Sequence, residues 1–466
     1  MTQDNSVAAP LTRALARFIA GSSANSIPEP VIAMARTVIK DGIGALLAAA
    51  NPDYSTGRLA AAFARDQGGT PEASIVGHGF KSSASMAALV NGTMGYACDV
   101  EPHHPAAILH PIAVMVPVAL AMAERTGASG ADLIAAVVLG CEVEYRISMA
   151  LGPAEQYALG FHPSAVCGCF GATAAACHLL GMKEEAVVRA LGLAACQASG
   201  MMAWESDPTE NARPFQMGMA ARNGVTAALL AASGFGGPMA VFDHGHTIFR
   251  AFSRDPRPEL LTADLGMRYD GIMELAIKPY SCVSFLHPGL DALLGLIHEH
   301  AIRPDDIEAI TLRFPKDGIH CVDDNPLKSH CAQYILPVAV VNGELKVADI
   351  FIDRRLSDPA IAAMCRRVSV VADPELDPLF PEFYASIVDI DLKSGQRHSR
   401  RNDIARGYPE TPLSETALAE KFARLAGSVA SPAGLHRLGV ALDGLWEAPN
   451  VTALATALCH PHGGTA

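Results

Sequence analysis

The sequence predicts a mainly α protein, a large all-helical domain joined to a smaller α+β domain. Three observations lead there. Apolar residues recur at helical spacing through the first two thirds of the chain. Alternation with a period of two appears only after about residue 266, and helical spacing returns near Ser414. The expected division is an all-helical domain over 1–266, completed by 401–466, and an α+β domain over 267–400.

In 28–50, Val31, Ala35, Val38, Ile39, Gly42, Ile43 and Leu46 fall on one face. Pro28 stands near the start, where its missing N–H costs nothing. Pro117 predicts an end or a kink in the helix it interrupts. Helices are expected over 131–148, 164–180 with Gly181 as C-cap, 184–199 and 220–233. Their interior residues are mostly Ala, Gly, Ser, Thr and Cys, which lets helix axes approach closely. Strands are expected where Ile310, Leu312 and Phe314 alternate, in the β-branched run 368–371, and where Val388, Ile390 and Leu392 alternate. Ser394-Gly395 then turns into 396–400. Helical patterns cover 288–300 and 333–342, and Ala417, Leu418, Lys421, Phe422 and Leu425 return the tail to the first domain.

Composition excludes several classes. Half of the 466 residues are hydrophobic and 18% are charged, so the chain has enough apolar surface to fold. The net charge of −13 argues against nucleic acid or an anionic membrane as partner. The uncharged runs 105–123 and 159–182 hold Pro111, Pro117 and several histidines, and read as buried helices of a soluble protein. Eleven cysteines form no CxxC pair, and the opening Met1-Thr2-Gln3-Asp4-Asn5-Ser6 has no basic or apolar leader pattern. The expectation is a cytoplasmic protein with reduced, buried thiols and neither metal nor cofactor.

Four polar clusters stand in apolar surroundings: Asp99-Val-Glu101-Pro-His103-His104 with His110-Pro111; Gly160-Phe-His162-Pro163; Asn211-Ala-Arg213-Pro-Phe-Gln216; and Lys278-Pro-Tyr280-Ser281 with His287-Pro288. Helix starts suit a carboxylate, and three His-Pro pairs lie near one. Plainer readings stand beside this. The histidines could be caps or a solvated turn, Arg213 could pair with Glu205 or Glu210, and Lys278 could snorkel at the surface.

Ser26-Ile-Pro-Glu-Pro-Val31 leading to Asp41-Gly-Ile-Gly44 resembles the opening helix of the MmgE/PrpD family. Asn91-Gly92 leading to Asp99, His110-Pro111, Gly160-Phe-His-Pro163, Gly234-Phe-Gly-Gly-Pro238, Lys278-Pro-Tyr280 and Gln333-Tyr334 extend the resemblance in order over about residues 26–400. That family includes 2-methylcitrate dehydratase, cis-aconitate decarboxylase and an iminodisuccinate epimerase that uses no cofactor. The resemblance implies a helical and an α+β domain, a site between them, a homodimer, and roles for Asp99, His110, His162, Lys278 and Tyr334. Arg213, His103, His104, Gln216 and Tyr280 are the expected substrate-binding residues. Departures are Arg213-Pro-Phe-Gln216 in place of Lys-Pro-Leu-His, Glu101-Pro-His103 in place of Asp-Asp-Thr, and Cys282-Val-Ser284 in place of Cys-Cys-Arg.

Fewer cations suggest a smaller, dicarboxylate substrate. The expected enzyme is therefore an isomerase, a cofactor-independent epimerase of iminodisuccinate or a similar imino acid. Lys278 and His110 would exchange the α-proton, Arg213 would hold a carboxylate and Asp99 would orient a histidine. Tyr334 would return a proton or bind a carboxylate. The alternatives are a hydro-lyase or decarboxylase of the 2-methylcitrate or cis-aconitate type, and a carboxylate-binding relative without chemistry.

Overall fold

The computed structural model describes residues 10–462; the polar opening at residues 1–6 lies outside them. A first core joins helices between Leu15 and Ile277 with apolar residues of 422–458, so it runs past the boundary expected at 266. A second core uses residues between Tyr280 and Ile390. Among the described residues no helix is long and apolar enough to cross a membrane.

The expected helices form with small shifts: Glu29–Ala49, Gly130–Leu151, Pro163–Leu179, Glu184–Ala195, Ala212–Ala232, His287–Glu299, Ala332–Asn342 and Glu415–Ala426. Two differ from expectation. Pro117 lies inside the continuous helix Pro111–Thr126 and does not end it. Every residue of that helix from Pro111 to Ala123 is buried, so packing on all sides outweighs the local preference. The helix expected from 220 begins at Ala212 instead, because Pro214 falls in its first turn, where no intrahelical N–H is required. Gly181 follows its helix with φ 61°.

Four helices of small residues pack axis against axis. A Cβ on Gly92 would lie 2.9 Å from the Cα of Gly218, and one on Gly171 would lie 2.6 Å from the carbonyl of Gly140. This presses Ala84–Ala97 on Ala212–Ala232, and Pro163–Leu179 on Gly130–Leu151.

A hairpin of β1 (Ala73–Ile75) and β2 (Phe80–Ser82) was not anticipated. The main sheet has β3 (Ile307–Phe314), β4 (Val368–Ala372), β5 (Ser386–Leu392) and β6 (Arg397–Asn402) in the order β4-β3-β5-β6. β3 is parallel to β4 and antiparallel to β5, with Leu312 opposite Val370 on one side and Val388 on the other. Ile310, Leu312 and Phe314 are fully buried, as their alternation implied.

Candidate active site

Several helix ends meet at one place. Tyr96 is near the end of Ala84–Ala97, and the chain then turns through Asp99 at φ 47°, a left-handed conformation that short polar side chains tolerate best. His110 and His162 are the N-cap residues of Pro111–Thr126 and Pro163–Leu179, and the His110 N–H donates to Ser164 Oγ at 3.0 Å, tying the two starts together. Arg213 is in the first turn of Ala212–Ala232, whose start is capped by Asp207 accepting from the N–H groups of Asn211 and Ala212. Lys278 is brought in by mutual backbone bonds of His103 with Ala276, and by Ile277 N–H donating to Gly407 O at 2.7 Å.

The side chains form one buried cluster. Lys278 Nζ is paired with Asp99 Oδ1, and Arg213 Nη1 lies 3.5 Å from Asp99 Oδ2. The Arg213 guanidinium sits 4.6 Å from the ring centres of both Tyr96 and Trp204, a geometry that holds its plane. His110 Nδ1 is 2.7 Å from Glu101 Oε1, and His162 Nδ1 is 3.1 Å from Gln216 Oε1. His103 stacks 5.9 Å from His110 and meets Tyr408 edge-on at 5.8 Å. From the second core, His330 Nε2 reaches Arg213 Nη1 at 3.3 Å; Glu210 anchors this approach by accepting from Lys328 N–H at 3.0 Å and from the Ser329 hydroxyl.

Burial sorts the charges. It raises the Glu101 carboxyl to about 8, with Lys278 opposing and Asp99 adding to the rise. It would raise Asp99 too, but Lys278 and Arg213 more than offset that and hold Asp99 well below the usual carboxylate range. Burial, then Lys278, push His103 and His110 far down; burial and Arg213 bring His162 and His330 to about 3. Near neutrality Asp99 is therefore ionised and the imidazoles are neutral. Asp99 Oδ2, Glu101 Oε2, both ring nitrogens of His103, His162 Nε2 and the hydroxyls of Tyr96 and Tyr408 have no hydrogen-bond partner among the described residues. Such orphaned groups are costly unless a polar guest satisfies them. Oxygen and nitrogen atoms of Asp99, Glu101 and His110 lie within 4.8 Å of one another, close enough for a metal ion, but the ammonium and guanidinium at Asp99 would compete with it.

Of the expected residues, Asp99, His103, His110, His162, Arg213, Gln216 and Lys278 meet here. Three lie elsewhere. Tyr334 donates to the carbonyls of Asp349 and Ile352 at 2.6 and 2.7 Å. Tyr280 donates to Asp291 at 2.7 Å and accepts from Arg406. His104 stacks on Tyr145, with Nε2 3.3 Å from the Asp270 carbonyl. One expected pairing differs, and two of the plainer readings fail. Glu101, not Asp99, contacts a histidine ring, because Asp99 is held by the two cations. Arg213 pairs with Asp99 and not with Glu205 or Glu210, and Lys278 is 2% exposed, so it does not snorkel. Sequence reasoning missed Tyr96, Trp204, His330 and Tyr408; Glu101 stood in a quoted cluster without a role.

The buried cluster lies where a helical core meets an α+β core, and both parts of the chain match one family. Residues 13–261 match the MmgE/PrpD N-terminal domain and residues 280–441 the MmgE/PrpD C-terminal domain, so the chain belongs to the MmgE/PrpD family. It is 27% identical to "Cis-aconitate decarboxylase-like protein oryM" of Aspergillus oryzae over 92% of this chain and 93% of that protein. It is 27% identical to "Cis-aconitate decarboxylase" of Homo sapiens, over 97% of this chain and 95% of that protein. A shorter match, 26% identical over 44% of each chain, is "2-methylcitrate dehydratase" of Cupriavidus necator. These names overturn the expected isomerase class, since decarboxylases and dehydratases are lyases. The expectation rested on counting cations along the motifs; Arg213 keeps the charge of the lysine position, and His330, a neutral group that no motif marked, joins the cluster.

Proposed function

We propose that the protein is a lyase acting on a polycarboxylate, with loss of CO₂ from an unsaturated acid of the cis-aconitate kind as the leading reaction and dehydration of a 2-methylcitrate-like acid as the second. The observation that supports this best is the excess of cations, Lys278 and Arg213 against ionised Asp99, ringed by unpartnered buried polar atoms. A bound polyanion would complete both the charge and the hydrogen bonding. Decarboxylation is favoured because the relatives so named cover nearly the whole chain, whereas the dehydratase covers 44% of it.

When CO₂ leaves, the bonding pair stays on carbon and spreads through the double bond into a second carboxylate. Arg213, fixed between two aromatic rings, suits that carboxylate, where charge accumulates in the transition state. A proton must then be added to carbon. Burial keeps Glu101 protonated near neutral pH, so it can donate to His110 Nδ1 and leave the His110 proton on Nε2. As Nε2–H gives its proton to carbon, the Glu101 proton passes to Nδ1; the imidazole stays neutral and Glu101 ends as carboxylate. Lys278 and His103 suit the remaining carboxylate.

The cavity bounded by Tyr96, Asp99, Trp204, Arg213 and His330 measures about 20 Å³, room for roughly one water. A polycarboxylate is larger than that, so the cavity must widen to admit it. The test supplies cis-aconitate and 2-methylcitrate separately and follows carbon by NMR. Conversion of cis-aconitate with CO₂ release supports the leading reaction, and a new olefin from 2-methylcitrate supports the second. Recovery of both acids unchanged overturns the proposal.

A further inference from the structure

The turn that carries Asp99 is gripped in an unusual way. Three successive carbonyls accept from side chains: Cys98 O from the Ser281 hydroxyl, Asp99 O from Lys278 Nζ at 3.4 Å, and Val100 O from Lys421 Nζ at 2.8 Å. The third grip comes from Glu415–Ala426, far along the chain. Lys421 is 3% exposed, and its ammonium pairs at 2.7 Å with Asp41 Oδ2, 4% exposed in Glu29–Ala49. Asp41 opens the motif Asp41-Gly-Ile-Gly44. Gly42 lies against Ile112 of the helix capped by His110, and Gly44 against Phe422 and Leu425. One short segment thus touches the helix behind His110 and the helix that carries Lys421.

A buried ion pair is a poor device for stability, because desolvation cancels much of its attraction. A left-handed non-glycine residue persists where its surroundings over-determine it. Both facts point to geometry as the pair's use. We propose that Lys421, held by Asp41, is a positioning residue that fixes the Asp99–Glu101 turn and so places the Lys278–Asp99 and Glu101–His110 pairs. The catalytic half of this inference rests on the lyase reading above. The pair also has a back door: Lys421, with Tyr280, Arg406, Leu413 and Arg424, lines an open cavity of about 710 Å³ beside the junction of the two cores. A small ammonium ion could reach the Lys421 site from there.

The test uses the full chain carrying Asp41→Asn with Lys421→Met, which removes both charges and leaves no unpaired buried ion. Hydrogen exchange at the amides of Asp99, Val100, Glu101 and His103, without substrate, should quicken. On the acid that the wild type converts, kcat should fall about 10- to 100-fold with KM nearly unchanged, as expected for misplaced groups. Lys421→Ala should show the same loss and recover part of its rate with propylammonium, which a merely structural role would not produce. Wild-type exchange rates and wild-type kcat in the double variant overturn the positioning role while leaving the lyase reading intact. An inert wild type whose turn still loosens in the variant overturns the lyase reading and supports the grip.

Discussion

Two buried charge clusters in the helical part differ in one respect. Around Arg146 every strong group has a partner: Nε meets Glu142 at 2.6 Å, Nη1 and Nη2 donate to the carbonyls of Ala263 and Asp264, and Glu142 Oε2 accepts from Gly271 N–H at 3.0 Å. Around Asp99 the two cations are held, yet neighbouring carboxyl, imidazole and phenol atoms go without. The first cluster pins residues 263–271 to Gly130–Leu151 and is finished. The second is left open. Incomplete satisfaction, more than charge itself, separates a site from a strut.

The comparison breaks most sharply at Glu101. Glu101→Gln keeps the shape but removes the proton source, so turnover of the converted acid should fall by about 10²–10⁴ with stability kept or improved. Wild-type activity should decline as pH rises through about 8, where Glu101 ionises, and the variant's residual rate should lose that limb. An unchanged alkaline limb in the variant would assign the limb to another group. The opposite response is expected at the finished cluster. Arg146→Met strands Glu142 and two carbonyls, so urea unfolding should show about 3–5 kcal/mol less stability, while KM of the folded fraction stays the same.

Acid sharpens the contrast further. Burial, the largest cause for each, depresses His103, His110, His162, His287 and His330, so below about pH 6.5 the unfolded chain binds protons that the folded one refuses. Stability is then lost as pH falls from about 6.5 toward 3, each histidine steepening the slope by up to about 1.4 kcal/mol per unit. Glu101, Glu142 and Glu144 are raised by burial and act in the opposite sense: their contribution is present below about 4.5 and lost as pH rises through their folded values. With His78, His104 and His178 also lowered, and Asp41, Glu274 and Asp349 also raised, eight histidines outnumber six carboxyls, so urea midpoints should drop from pH 6.5 to 5. Midpoints that rise over that interval would show that the imidazoles are not buried neutral.

The fold was largely legible because its signals are local. Ile310, Leu312 and Phe314 alternate, and Val31, Ala35 and Val38 recur, whatever lies around them. The candidate site was legible in part: of the motif residues, His110, His162, Arg213, Lys278 and Asp99 converge, while Tyr280 and Tyr334 do not. Partners that touch only in space were not. Trp204 and His330 reach Arg213 from distant segments, and no spacing announces either. Pro117 misled for the complementary reason, since a local rule bends when packing on all sides outweighs the penalty.

Tyr334 offers the mildest test of the same contrast. Its match to the family motif implied a hand in the reaction, yet its hydroxyl is spent on the carbonyls of Asp349 and Ile352, under the Arg355 guanidinium. It is therefore a finished group, like Arg146, within the second core. Tyr334→Phe should cost about 1–3 kcal/mol of stability, because two carbonyls lose their donor, and leave kcat and its pH profile where they were. A drop in kcat beyond about tenfold, with urea stability unchanged, would put Tyr334 back among the reacting groups. It would also mean that satisfied hydrogen bonding does not tell strut from site in this protein.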